Sequence, residues 1–234
     1  MFWYYYESPE YLIFMILSLI FSMYAHFKIK FTFKKYSKIN CKKNFTGLDA
    51  AKRVLQQNNV NSVEINHVFG DLTDHFDPRT NKIFLSNNVY DKNSIAAIGV
   101  AAHEAGHAVQ YAKAYMPIKI RQKIIPICQF GSNLSMPLIF LGLILPNLYF
   151  MAQFGILLFS TIVLFQLVTL PVEIDASKRA LNSLQEYAIL DSEELVGAKK
   201  VLLSAALTYV AAAFSSIVSL LRMISIVNSN KDSH

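Results

Sequence analysis

The sequence predicts a mainly α-helical integral membrane protein, with about four transmembrane helices and a small α+β domain between the first and the second. Three observations predict it. Of the 234 residues, 53% are hydrophobic, and the mean hydropathy of +0.33 is too high for an ordinary soluble domain. The apolar residues gather in runs long enough to cross the bilayer core, which takes about 20 helical residues. One polar stretch, residues 28–123, interrupts those runs and carries helix, strand and turn signals of its own.

The first run covers residues 10–26 and follows Phe2, Trp3, Tyr4, Tyr5 and Tyr6, an aromatic segment suited to the membrane interface. Acidic Glu7 and Glu10 precede the run and lysines follow it, the reverse of a cleaved signal peptide, and no small-residue cleavage site comes after. Residues 1–27 are therefore expected to remain as an anchor with the N-terminus outside the cytoplasm. Lys28, Lys30, Lys34, Lys35, Lys38, Lys42 and Lys43 crowd its far end. Beside a span such a cluster marks the cytoplasmic flank rather than a nucleic-acid site, so no nucleic acid is expected as a partner.

Within residues 28–123, Thr46 and Asp49 set a capping box for a helix running to Gln57, with Leu48, Ala51 and Leu55 on one face. Residues 62–68 and 82–86 read as short strands, joined by the turn-rich segment 70–79. A helix over 94–111 follows, and Pro117 marks its end. Residues 124–234 are expected to form a helical membrane domain. Its runs 124–145 and 148–170 are each long enough to span, with Pro146 and Asn147 as the turn between them. Residues 172–184 read as a separate helix, and Asp191 and Glu194 cap a last one whose stretch 201–221, rich in Ala and Ser, is the fourth span. Cys41 falls in the basic stretch and Cys128 in a span, which argues against a disulfide framework.

Lys119, Arg121 and Lys123 start span two on the inside, and Lys178 and Arg179 follow span three on the inside. Residues just before span two and just after span three therefore share a membrane face. The first of those places holds His103-Glu104-Ala105-Gly106-His107. Two histidines four residues apart on a helix lie one above the other, so both imidazoles reach one metal ion. Glu104 sits beside them as a general base, completing the HExxH arrangement of zinc hydrolases, with one zinc ion per chain. Gly106 in the middle of a helix costs about 1 kcal/mol against Ala, which points to another element approaching closely there.

Two histidines and a water leave one protein ligand to supply. Glu173 is the first candidate, because a carboxylate directly after a span is costly unless paired or metal-bound. Asp175 is the rival, though two residues along a helix turn it away and Arg179 offers it an i+4 partner.

Residues 72–79 (Leu-Thr-Asp-His-Phe-Asp-Pro-Arg), Leu85-Ser86, 101–110 around the HExxH, and 170–177 (Leu-Pro-Val-Glu-Ile-Asp-Ala-Ser) together resemble the bacterial membrane-bound neutral zinc metallopeptidase family, the YugP-like proteins. The similarity runs from the first span to residues 207–211. It implies a membrane zinc peptidase with a zincin-like catalytic domain, His103 and His107 as ligands, Glu104 as base and Glu173 as third ligand. More distant glutamate-zincins carry an aspartate four residues after the ligand glutamate, where it orients the first histidine. Here that position is Ser177, which leaves Asp74, Asp77 or a backbone carbonyl as candidates to hold the His103 ring.

His75 with Asp71, Asp74 and Asp77 suggests a second metal site, but the spacing fits no calcium loop and Asp is ordinary in turns. His67 in a strand reads as a packed or hydrogen-bonded histidine, while His26 and His234 sit where solvation is the default. Tyr209, a polar tip in a small-residue helix, is either an oxyanion donor or a packing residue. The leading function is a zinc endopeptidase at the inner face of a cell membrane, taking a peptide or protein substrate as an added strand on the edge formed by residues 82–86. The alternatives are an intramembrane protease of the site-2 type, which needs the HExxH helix inside the bilayer, and a scaffold with a structural metal, which needs a fourth protein ligand.

Overall fold

A computed structural model describes residues 9–231. The aromatic run 2–6, Glu7 and His234 lie outside them. The described chain is mainly helical, with a small three-stranded sheet and four helices long and apolar enough to cross a membrane. It divides into two compact units.

The first unit takes residues up to Tyr24, Ile120–Leu170 and Thr208 onward, so it is built from parts of four helices. These are α1 (Pro9–Tyr36), α4 (Met116–Ile144), α5 (Tyr149–Glu186) and α6 (Ser192–Lys231). A 3₁₀ turn at Pro146–Leu148 reverses the chain between α4 and α5. Close backbone approach holds this hairpin: a Cβ on Gly142 would lie 2.4 Å from the Ala152 nitrogen. Small residues at such crossings let helices pack where lipid removes the hydrophobic drive. Phe14, Leu19, Phe130, Phe154 and Leu157 stay exposed, as a lipid-facing surface requires.

The second unit takes Ala25–Lys119 and Pro171–Leu207. The segment 124–234, expected as a single domain, thus contributes to both units. In this unit α2 (Gly47–Gln57) begins at the expected capping box, with Thr46 accepting from the Asp49 N–H and Asp49 accepting from the Thr46 N–H. Strand β1 (Glu64–Val68) pairs in parallel with β3 (Lys82–Ser86), and β2 (His75–Asp77) pairs antiparallel with β3. The order β1-β3-β2 puts β3 in the middle. That corrects the expectation of a free edge at 82–86, since both sides of β3 are already hydrogen-bonded. It also adds a strand inside the segment read as turns only. Three residues are too few for period-two alternation to show through the surrounding Gly, Asp and Pro.

Helix α3 (Ile95–Ala112) starts at Ser94, whose hydroxyl accepts from the Ala97 N–H. Small side chains let it sink into the core: Ala97, Ile98, Ala101, Ala105 and Val109 are buried along with Ile83, Leu85 and Val54. It ends at Ala112 rather than at Pro117, which instead lies in the first turn of α4, where a missing N–H costs nothing. The separate helix expected over 172–184 is the continuation of α5, which runs unbroken through Pro171. Asp191 caps α6 by accepting from the Glu193 and Glu194 N–H groups, and Glu194 accepts in return from the Asp191 N–H.

Candidate metal centre

Helix α3 stacks His103 and His107 one turn apart, with ring centroids 4.6 Å from each other. Glu173 arrives from α5, at 2% exposure. Its Oε2 lies 3.2 Å from His103 Nε2 and 3.5 Å from His107 Nε2. Among the described residues this is the group of three able to hold a metal ion. Two imidazole nitrogens and a carboxylate are a zinc donor set. Arms of 2.0–2.1 Å in a tetrahedron put ligand atoms about 3.3 Å apart, so both carboxylate–imidazole separations fit the edges of such a site. The donors present therefore fit zinc.

Gly106 explains how the two helices come so close. A Cβ there would meet the Ala176 carbonyl oxygen at 2.7 Å, with the Ala176 carbonyl carbon at 3.3 Å. The expectation of a close approach at Gly106 agrees with this contact, and α5 is the element that makes it.

The outer nitrogens of both rings are engaged. His107 Nδ1 lies 3.0 Å from Gln110 Oε1, and Gln110 Nε2 donates to the Val172 carbonyl and to Asp175 Oδ2, each at 2.8 Å. Val172 O and the Asp175 carboxylate only accept, so the Gln110 amide can be oriented one way. Its Oε1 then faces His107 and requires a proton on Nδ1, which leaves the Nε2 lone pair toward Glu173. Gln110 was not singled out from the sequence, where a glutamine three residues after a histidine looks like any helical residue. Its complete burial is the signal, and only the fold supplies it.

His103 Nδ1 lies 3.1 Å from Ser177 Oγ. Ser177, at the position where more distant glutamate-zincins carry an aspartate, thus holds the ring. Asp74 and Asp77 do other work. Asp74 accepts from the Ser86 N–H and hydroxyl, while Asp77 accepts from the Arg79 N–H and the Thr80 hydroxyl. Asp71 accepts from Asn88. The suggested second metal site around His75 is thus a set of turn and loop hydrogen bonds, and no such group forms there among the described residues. Asp175 turns away from Glu173 to Gln110 and Arg179, the latter at 2.5 Å.

Glu104, 8% exposed, is pushed up to about 7 by burial, the largest cause. His103 pulls it down, while the Glu173 and Asp74 charges push it further up. A carboxyl near neutrality next to a metal site suits proton transfer in both directions. His67 stays exposed on β1 rather than packed, its ring edge-on to Phe69 at 5.4 Å and to Tyr90 at 5.3 Å. Tyr209 belongs to the first unit.

Comparison with known proteins agrees with this chemistry. The family model described as "Putative neutral zinc metallopeptidase" matches residues 11–228. A relative from Bacillus subtilis (strain 168), "Putative membrane protease YugP", is 44% identical over 211 residues, covering 90% of this chain and 93% of its own. No solved structure matches the chain.

Proposed function

The chain belongs to the neutral zinc metallopeptidase family, and on that premise we propose that it is a zinc endopeptidase acting at the inner face of a membrane, with His103, His107 and Glu173 as ligands and Glu104 as general base. The observation that carries the reading is the convergence of two imidazoles and one carboxylate, whose ligand atoms lie within 4.8 Å of one another, with the carboxylate oxygen at tetrahedral-edge distance from both Nε2 atoms. When bound there, zinc supplies Lewis-acid chemistry, making water a stronger acid and a peptide carbonyl a better electrophile. The residues of the chain do the rest. Glu104 accepts the proton of the attacking water and delivers it to the amine nitrogen as the peptide bond breaks. Gln110 and Ser177 hold the two imidazoles in the ligating orientation. An extended peptide finds its nearest free strand edge at β2, which packs against α3. The lysines flanking spans one and two support the inner-face placement.

The intramembrane alternative needs the motif helix to be a span, whereas the four candidate spans are α1, α4, α5 and α6, and α3 is buried among the residues of the second unit. The scaffold alternative gives Glu104 no task and needs a fourth protein ligand.

The test is a pair of variants of the full chain in detergent. His103→Ala is expected to abolish zinc binding measured by elemental analysis. Glu104→Gln is expected to keep one zinc per chain while hydrolysis of fluorescein-labelled casein falls by about 10²–10⁴. Full zinc occupancy in the first variant, or wild-type turnover in the second, would reject the assignment.

A further inference from the structure

Away from the metal centre, a cleft of about 500 Å³ opens between α1 and the segment that leads into α3. Lys30 and Lys34, one turn apart on α1, line one side, and Lys92 lines the other. The acid in the lining is Asp71, whose carboxylate already accepts from Asn88. None of the three lysines is ion-paired among the described residues, and all three are exposed. Three ammonium groups around one cleft repel one another, and an anion between them relieves that repulsion.

Their depth is set by the helix. The apolar run of α1 ends near Phe27, and a rise of 1.5 Å per residue carries Lys30 about 5 Å and Lys34 about 10 Å past it. A headgroup layer is about 5–7 Å deep on each side of the hydrocarbon core. The two lysines therefore bracket the level of lipid phosphates.

The loop beside the cleft points the same way. Phe69 is 83% exposed and Leu72 53% exposed, and Leu72 both lines the cleft and holds a left-handed φ of +56°. A bulky apolar residue kept in strained backbone and turned outward suits insertion among acyl chains, which a soluble phosphate would not reward. We propose that this cleft binds the headgroup of an anionic phospholipid, the lysines taking its phosphate oxygens and Phe69 and Leu72 lying against its acyl chains.

Lys92 makes the proposal separable from diffuse attraction, because it lies far in sequence from the basic run of α1 but in the same cleft. The experiment is native mass spectrometry of the full chain in detergent, titrated with phosphatidylglycerol or phosphatidylcholine. Wild type is expected to prefer phosphatidylglycerol by at least about tenfold, with Lys34→Gln and Lys92→Gln each losing about fivefold of that affinity, the worth of one basic residue at an anionic surface. Lys38→Gln, outside the cleft, is expected to change nothing, and Leu72→Ser to weaken the lipid as well. Equal losses in Lys38→Gln and Lys92→Gln, or no preference between the lipids, would overturn the site. Displacement of the lipid by inorganic phosphate at comparable affinity would overturn the lipid as its ligand.

Discussion

Gln110 has two amide hydrogens, and both go to acceptors that cannot donate back. That leaves one oxygen and one consequence: the tautomer of His107 is fixed from outside the metal centre. Gln110→Met keeps the volume and removes the constraint, so zinc affinity is expected to fall about 10–100-fold, read by competition with a chelator. Unchanged affinity would mean that the ring needs no such partner. Glu104 gives a second prediction that requires no substrate. In chelator-treated protein it holds its proton to about 7, against an ordinary value of 4.5. Between those values the folded chain binds more protons than the unfolded one, so its stability falls as pH rises, and above 7 the loss is constant. The span amounts to about 3 kcal/mol, and Glu104→Gln is expected to remove it from the pH dependence of thermal unfolding. Parallel curves for variant and wild type would place Glu104 in contact with water. At this scale the sequence shows what chemistry imposes and hides what only packing decides. The four-residue spacing of the histidines puts them on one helix face, and a carboxylate just past a span already looks costly. Ser177 looked like the loss of an aspartate and Gln110 like nothing, because a supporting hydrogen bond has no fixed residue type or spacing.

Helix α3 carries two glycines whose surroundings differ. Gly106 faces the α5 backbone, whereas a Cβ on Gly99 would meet the Ala198 Cβ at 3.5 Å, an ordinary contact. Gly106→Ala is therefore expected to destabilise the chain by about 1–3 kcal/mol and to weaken zinc binding as α5 is pushed back. Gly99→Ala is expected to be neutral or to stabilise by up to about 1 kcal/mol through helix propensity. Thermal unfolding and zinc titration of the two variants check this, and a tolerant Gly106 would mean that the helices can separate without harm to the site. Capping boxes made the starts of α2 and α6 legible, since a side chain closing on a backbone N–H three residues away is a local event. The continuity of α5 was not legible. Pro171 removes the donor for the Leu167 carbonyl, which reads as a helix boundary, yet the helix continues, with Thr169 and Val172 buried on either side of the proline. Strand β2 was lost for the opposite reason, being held by its partner β3 and not by any pattern of its own.

For the whole molecule, four apolar runs with asymmetric lysines predict an orientation that can be measured. The native cysteines are both buried, so an introduced thiol reports against a low background. Lys38→Cys is expected to resist an impermeant thiol reagent in intact cells, and Asn147→Cys, on the exposed turn between α4 and α5, to react with it. The reverse pattern would turn the chain over and place the protease outside. The four spans were legible because length and hydropathy suffice to reveal them. The partition of residues between the two units was not, since Pro171–Leu207 joins a unit whose other segment ends at Lys119. That same split has a consequence in time. His103 and His107 leave the ribosome first, and two whole membrane crossings must be synthesised and inserted before Glu173 follows. With the proposed ligand set, a nascent chain carries an incomplete donor set until its third apolar run has been made, so the proposed peptidase cannot cut its own chain before then.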